Sequence, residues 1–233
     1  MGKTIISQAR GHGSLTYRTR KKAFRIHVSY PSVEGTGQVL KLINVACYDA
    51  PVAKIKINDK VFYNLAAEGM HEGQKITIGK DAGAETGNIL PLSQVPIGIP
   101  IYNIETIPGL GGKLVRTSGL SARIVKKNEK SATVLLPSKK ERVFDLNARA
   151  TVGTLAASGR KEKPILKAGK GWYMARGTGG RIYPRTSAVK VNVIDHPFGS
   201  GRGKRIKSKI IKRWTPAGAK VGLLKPRRTG RRK

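Results

Sequence analysis

Between residues 38 and 79 apolar and polar positions change places in short runs. QVLKLINVACY (38–48), PVAKIKI (51–57), KVFYNLA (60–66) and GQKITIG (73–79) are rich in Val, Ile and Tyr with partial alternation, the pattern of strands buried on one face. Asn58-Asp59 offers a turn, and Gly69, Gly73 and Gly79 punctuate the runs at the spacing of a small all-β barrel. No stretch here sustains the 3.6-residue period of a long helix.

A second group follows: IPIYNIETI (99–107), LSARIVKK (120–127), SATVLLPS (131–138), ERVFDL (141–146) and ATVGTLA (150–156), parted by Asn128-Glu129, Pro137-Ser138 and Asn147. Strands at this spacing predict a second small barrel or sandwich. PLSQVPIG (91–98) reads as a single helical turn. The two units, 35–82 and 83–160, are each small, and a domain of ~60 residues buries only about 60% of its unfolded surface. They are expected to pack together or to lean on a partner.

Charge sets the two ends apart. The chain holds 46 Lys and Arg against 13 Asp and Glu, a net +33. Residues 1–33 carry seven cations and no acid, and residues 163–233 carry 21 cations and only Asp195, whereas residues 34–162 balance 18 cations against 12 acids. Like-charged segments of this kind cannot fold on a core of their own and act as interaction arms. The division expected is a basic N-terminal arm (1–34), two β units, and a basic C-terminal extension (161–233) of Gly, Pro, Lys and Arg with little periodicity. Such charge calls for a polyanion. No basic amphipathic helix marks a membrane surface as that partner, so nucleic acid is the expectation.

The remaining composition narrows the class. A single cysteine, Cys47, permits neither a disulfide framework nor a cysteine-based zinc site. His12, His27, His71 and His196 are scattered, so no metal or other cofactor is expected. No apolar run approaches the ~18 residues of a membrane helix, and no apolar signal core stands near the start. The expectation is a soluble cytoplasmic protein.

Two motifs invite catalytic readings. Gly109-Leu110-Gly111-Gly112-Lys113 resembles part of a phosphate-binding loop, but Leu114 stands where Ser or Thr is needed and a strand-like run follows. A glycine-rich β turn presenting Lys113 and Arg116 is the better account. Asp195 and His196 suggest a catalytic pair. Pro197 biases His196 toward extended backbone, where neighbouring side chains diverge, and no Ser or Cys has a nucleophile's context. Contact of the His196 imidazole with an RNA base or phosphate fits better. The alternatives are a ribosome-associated enzyme using Asp195 and His196, and an RNA-binding translation factor that cycles on and off.

The RNA contacts expected are Arg10, His12, Arg18, Arg20, Lys21 and Lys22 in the first arm, with Tyr17 beside them, and Lys113, Arg116 and Arg149 in the centre. In the extension they are Arg160, Lys161, Lys163, Lys167, Lys170, Trp172, Arg176, Arg181, Arg185 and His196. Beyond these come Arg202, Lys204, Arg205, Lys207, Arg213, Trp214, Arg227, Arg228, Arg231 and Arg232. Trp172, Tyr173, Tyr183 and Trp214 sit among cations, and packing against protein and stacking on bases both remain open for them. GKRIKSKIIKR (203–213) reads as a groove-lining segment, with a short helix as the other option.

From end to end the sequence resembles large-subunit ribosomal protein two in its archaeal form. The likeness rests on MGK with GHGS at the start, APVAKIKI (50–57), AAEGMHEGQKITIG (66–79), IGIPIYNIE (97–105), GGKLVRTSG (111–119) and RATVGTLA (149–156). Most specific are GRKEKPILKAGK (159–170), DHPFGSG (195–201) and KVGLLKPRRTGRRK (220–233). The resemblance implies an OB-fold barrel followed by an SH3-like barrel, with a long C-terminal extension that penetrates the large-subunit RNA. It implies roles in assembling the subunit, in joining the subunits and in supporting the peptidyl-transferase region. Large-subunit ribosomal RNA and neighbouring ribosomal proteins are the implied partners, with no small-molecule substrate. His196 matches the histidine of the family's DHP motif, and the resemblance implies that RNA, not this histidine, forms the reaction centre. The chain departs from the family at SAVKVN (187–192), where RGVAMN is common, and at Ser200, which interrupts the glycine run.

Overall fold

The computed structural model describes residues 3–19, 25–160, 162–177, 182–196 and 198–201. Their order is α1 (Ile6–Gly11), β1 (Gly35–Ile43), β2 (Val52–Ile57), β3 (Lys60–Leu65), β4 (Lys75–Ile78), β5 (Ile89–Pro91), β6 (Pro100–Tyr102), β7 (Ile104–Glu105), β8 (Gly112–Leu114), β9 (Ala122–Lys127), β10 (Ser131–Leu135), β11 (Glu141–Asp145), β12 (Arg149–Val152) and α2 (Ala168–Gly177). The fold is all-β, as the patterning predicts. By contact it divides into two units: the described residues of Arg20–Gly180, and those of Met1–Thr19 with Arg181–Lys233.

Ten strands of the larger unit form one sheet in the order β11-β10-β9-β6-β12-β5-β4-β1-β2-β3, and β7 pairs with β8 apart from it. The strands predicted at 51–57 and 60–66 form the β2–β3 hairpin, whose last rung is Ile57 opposite Lys60. Its turn needs a left-handed residue, and Asn58 supplies one at φ 47°. Residues 91–98 make a tight turn, Gln94 N–H to Pro91 C=O at 3.0 Å, rather than a helix.

The buried side chains fall into two clusters. Val39, Ile55, Leu65, Ile76 and Ile78 build the first, and Leu92, Ile124, Val134 and Phe144 build the second. Successive strand residues face opposite ways, and three short strands use both faces. Ile89 and Tyr102 enter the first cluster while Leu90 and Ile101 enter the second, and Ala150 and Val152 of β12 face the second. Strands β5, β12 and β6 are therefore a wall common to two cores. That is why β5 is buried at every position and why its run shows no alternation.

Polar groups cross this wall as a connected hydrogen-bond network, in which Asn103 Oδ1 is left without a partner. Tyr30 Oη donates to the Asn103 carbonyl at 2.6 Å and lies 2.7 Å from Thr151 Oγ1, which accepts from Asn64 Nδ2 at 3.1 Å. Because the tyrosine proton goes to Asn103, the Thr151 hydroxyl is the donor to Tyr30. Asn103 Nδ2 donates to Asn64 Oδ1 at 2.9 Å, and Tyr102 Oη donates to the Leu65 carbonyl at 2.9 Å. Burial pushes both phenols well above their usual range, so they serve as donors throughout.

Glu105, with no solvent exposure, anchors the neighbouring loop. Its carboxylate accepts from Gly109 N at 3.2 Å, Gly111 N at 3.0 Å and Arg149 N at 3.0 Å, and pairs with the Arg149 guanidinium at 2.9 Å. Arg149 also donates to the Pro31 carbonyl at 2.5 Å and lies over the Tyr30 ring, 5.4 Å from its centroid. Burial acts to raise the Glu105 pKa, but the hydrogen bonds and charge of Arg149, with the Gly109 N–H, outweigh it and hold the carboxyl below its usual value.

Two outcomes follow. Thr151→Val keeps the volume but leaves Asn64 Nδ2 without its acceptor, and is expected to cost about 1–3 kcal/mol, read from urea unfolding. A folded pKa below the unfolded one gives stability that is complete above about pH 4.3 and is lost as pH falls through the folded value. The wild-type urea midpoint should therefore drop on acidification. Glu105→Gln should cost about 3–5 kcal/mol at neutral pH by stranding Arg149, and its midpoint should fall less steeply in acid.

Candidate nucleic-acid interface

The loop that Glu105 shapes leads into β8, where Lys113 is exposed and Arg116 half-buried. Gly112 fits there because a Cβ would collide with the Asn103 backbone and amide. Arg116 donates to the Gly112 carbonyl at 3.2 Å and covers the Tyr48 ring at 5.3 Å. The turn thus presents Lys113 outward, while Arg116 is partly held by the protein. Arg149 differs more from the sequence reading: its guanidinium is engaged inside the fold by Glu105, Pro31 and Tyr30.

Arg160 ends a short 3-10 turn and pairs with Asp49. Lys163, Lys167, Lys170 and Arg176 are exposed. Helix α2, where the sequence shows little periodicity, carries the last two with Trp172 and Tyr173. Arg176 lies one turn beyond Trp172 with its guanidinium carbon 4.0 Å from the ring centroid, a cation–π pair in i,i+4 register. Tyr173 meets Trp172 edge-on, centroids 4.9 Å apart. On the outer side of the second core, burial lowers the Lys127 pKa, and its ammonium donates to the Ser93 carbonyl at 2.6 Å.

In the smaller unit, Arg10 and His12 are exposed on and just after α1, whose start is capped by the Gln8 side chain accepting from Ile5 N–H at 3.1 Å. Arg18 is exposed and donates to the Gly13 carbonyl at 2.7 Å, and Arg185 is exposed. Asp195 and His196 occupy a turn, not extended chain: the N–H groups of both reach the Asn192 carbonyl, at 3.0 and 3.2 Å. Each side chain has its own partner. Asp195 accepts from Lys3 Nζ at 3.1 Å. His196 Nδ1 accepts from Phe198 N–H at 3.0 Å and its ring meets the Phe198 ring at 5.0 Å.

A nitrogen that accepts from an amide carries no proton, so Nε2 is the protonated position of neutral His196. The catalytic dyad arrangement, with a carboxylate on the Nδ1 proton, is absent from this turn.

Gly199 closes the same turn. A Cβ there would collide with the carbonyls of Val191 and Asn192. Ser200 takes left-handed backbone at φ 57°, and its Oγ accepts from Val193 N–H at 3.2 Å.

The sequence reading singled out neither Lys3 nor Glu105. The signal for Lys3 was indirect: a lone carboxylate in a strongly basic stretch needs a cation beside it. For Glu105 it was the one acid inside the apolar run IPIYNIETI. The contacts expected at Arg20, Lys21, Lys22, Lys161, Arg181 and Arg202 lie outside the described residues, as do Lys204, Arg205, Lys207, Arg213, Trp214, Arg227, Arg228, Arg231 and Arg232. Among the described residues no cluster of His, Cys, Asp and Glu could hold a metal, and no helix is long and apolar enough to cross a membrane.

Residues 85–218 match the family described as Ribosomal Proteins L2, C-terminal domain. Over 241 residues, spanning all of both chains, the protein is 42% identical to large ribosomal subunit protein uL2 of Methanococcus maripaludis. It is 40% identical over 237 residues to the uL2 of Methanothrix thermoacetophila, again across the whole of both chains. To the uL2 of Natronomonas pharaonis it is 39% identical, covering 99% of this chain and 97% of that one. The likeness thus runs along essentially the whole of this chain and of these archaeal relatives, and the chain belongs to the uL2 family of large-subunit ribosomal proteins.

Proposed function

We propose that the protein is a structural constituent of the large ribosomal subunit that binds its RNA directly. In this reading the β units at 35–82 and 83–160 are an OB-fold and an SH3-like barrel that fix the bases of two cationic arms. The arms run between RNA segments, neutralise phosphate and support subunit assembly, subunit association and the peptidyl-transferase region, in the cytoplasmic ribosome and beside other ribosomal proteins. RNA, not the protein, supplies the chemistry.

One observation carries the proposal. The only acid of residues 163–233 is Asp195, and its charge is taken up by Lys3. Beyond Glu162, a phosphate approaching the extension therefore meets no uncompensated carboxylate, which suits a polyanion and leaves no general base beside His196.

The protein is expected to stay with the large subunit through high-salt washing, which a factor that cycles on and off would not. Isolated, it should bind large-subunit RNA with log affinity falling against log salt by about 0.9 per phosphate neutralised on duplex and about 0.7 on single strands. A flat salt response, or release in the wash, would overturn the reading. Transferase or hydrolase turnover by RNA-free protein that His196→Ala abolishes would establish the enzyme instead.

A further inference from the structure

Helix α2 presents a surface that phosphate binding alone does not use. Tyr173 is 72% exposed, and Leu166 just before the helix is 78% exposed. No described side chain of the helix is buried. Scattered exposed apolar groups are ordinary, so exposure by itself means little. The difference here lies in how the two adjacent rings are used.

Trp172 has one face closed by Arg176, 4.0 Å from its centroid. Tyr173 touches Trp172 edge-on, at 4.9 Å with the planes 89° apart, a contact that takes at most one face of the tyrosine. A helical side chain leans over the turn before it, which places the Tyr173 ring toward residues 169 and 170. Residue 169 is glycine, and even a Cβ there would meet nothing within 4 Å, so the helix surface one turn before Tyr173 is uncovered. Lys170 stands one turn back on the same side of the helix and Lys167 precedes it, both exposed. No acid occurs between Lys163 and Ile194.

An exposed aromatic ring beside a row of cations, in a stretch of chain without acids, matches a nucleotide rather than a protein or a bare phosphate. Because a duplex keeps its base faces inside its own stack, the nucleotide must be unpaired.

We infer that Tyr173 is a stacking platform for one unpaired RNA base, with Lys170 and Arg176 receiving the flanking phosphates and Trp172 serving to hold Arg176 rather than to bind a base. This rests on the RNA-binding reading above and separates two aromatics that the sequence leaves equivalent. Tyr173 becomes the residue of the helix that distinguishes single-stranded from paired RNA.

The test uses the full chain with three probes, read by fluorescence anisotropy: an oligouridylate of roughly 8 nucleotides, an abasic ribose-phosphate oligomer of equal length, and an RNA duplex. Tyr173→Ala is expected to weaken oligouridylate binding roughly 5- to 150-fold, the worth of one stacked base, and to leave the abasic and duplex affinities unchanged. Tyr173→Phe, which keeps the ring, should bind like wild type. An equal loss on all probes, no loss with Tyr173→Ala, or a base-specific loss confined to Trp172→Ala would each overturn the inference. So would large-subunit reconstitution that fails with Tyr173→Ala while oligouridylate binding stays normal, since the ring would then face a protein. Failure of the wild-type chain to bind any probe would instead remove the RNA-binding reading beneath it.

Discussion

The pairing of Glu105 with Arg149 sets the arrangement around it. A carboxylate without solvent contact is held only because two glycine N–H groups, the N–H of Arg149 and its guanidinium all point at it. Desolvating such a group costs several kcal/mol unless its hydrogen bonds are complete. The pair thus fixes three stretches of chain at once: the 109–111 loop, the start of β12 and, through the guanidinium, the carbonyl of Pro31. Moving any one of them leaves a buried charge exposed to nothing. The loop before Lys113 therefore takes its shape from the interior rather than from its own flexible sequence.

The rest of the molecule inverts that logic. In residues 34–162 cations outnumber acids only 18 to 12, and burial, not charge, holds the strands; each wholly buried Leu or Ile contributes about 1.5–3 kcal/mol. At the ends the balance fails. α2 shows the consequence: its three glycines, and Lys170 in its first turn, disfavour a helix that is shorter than the ~12–15 residues an isolated one needs. The Trp172–Arg176 and Trp172–Tyr173 contacts support it from within. Such a segment gains more from a polyanion beside it than from anything it can bury.

Those two regimes decide what was legible in the sequence. The strands of 51–57, 60–66, 120–127 and 131–138 could be read because one face of each is wet, and alternation follows from that. Of the wall strands, β6 and most of β12 lie within the predicted runs 99–107 and 150–156, but β5 and the sharing of the wall stayed hidden, since Ile89 with Leu90 and Ile101 with Tyr102 are buried on opposite faces. α1 spans fewer than two helical periods, and the apolar residues of α2, Trp172, Tyr173 and Met174, are contiguous instead of spaced along a face. Neither could register as a helix. At the site, exposed cations were readable from charge alone. Composition cannot tell a cation that meets solvent from one held internally, so Arg149 looked like Lys113. The divergence of Asp195 and His196 was anticipated, but by a different route: a turn with separate partners, not strand alternation, keeps them apart.

The wall of β5, β12 and β6 also bears on the order in which a growing polypeptide can mature. Tyr102 and Leu155 belong to the first cluster, although its other main contributors are made far earlier. A nascent chain that has released β1 to β4 still has an open, greasy flank on its first half. That flank closes only when the segment near Leu155 has left the exit tunnel. The first half thus completes its burial only with side chains that the second half contributes.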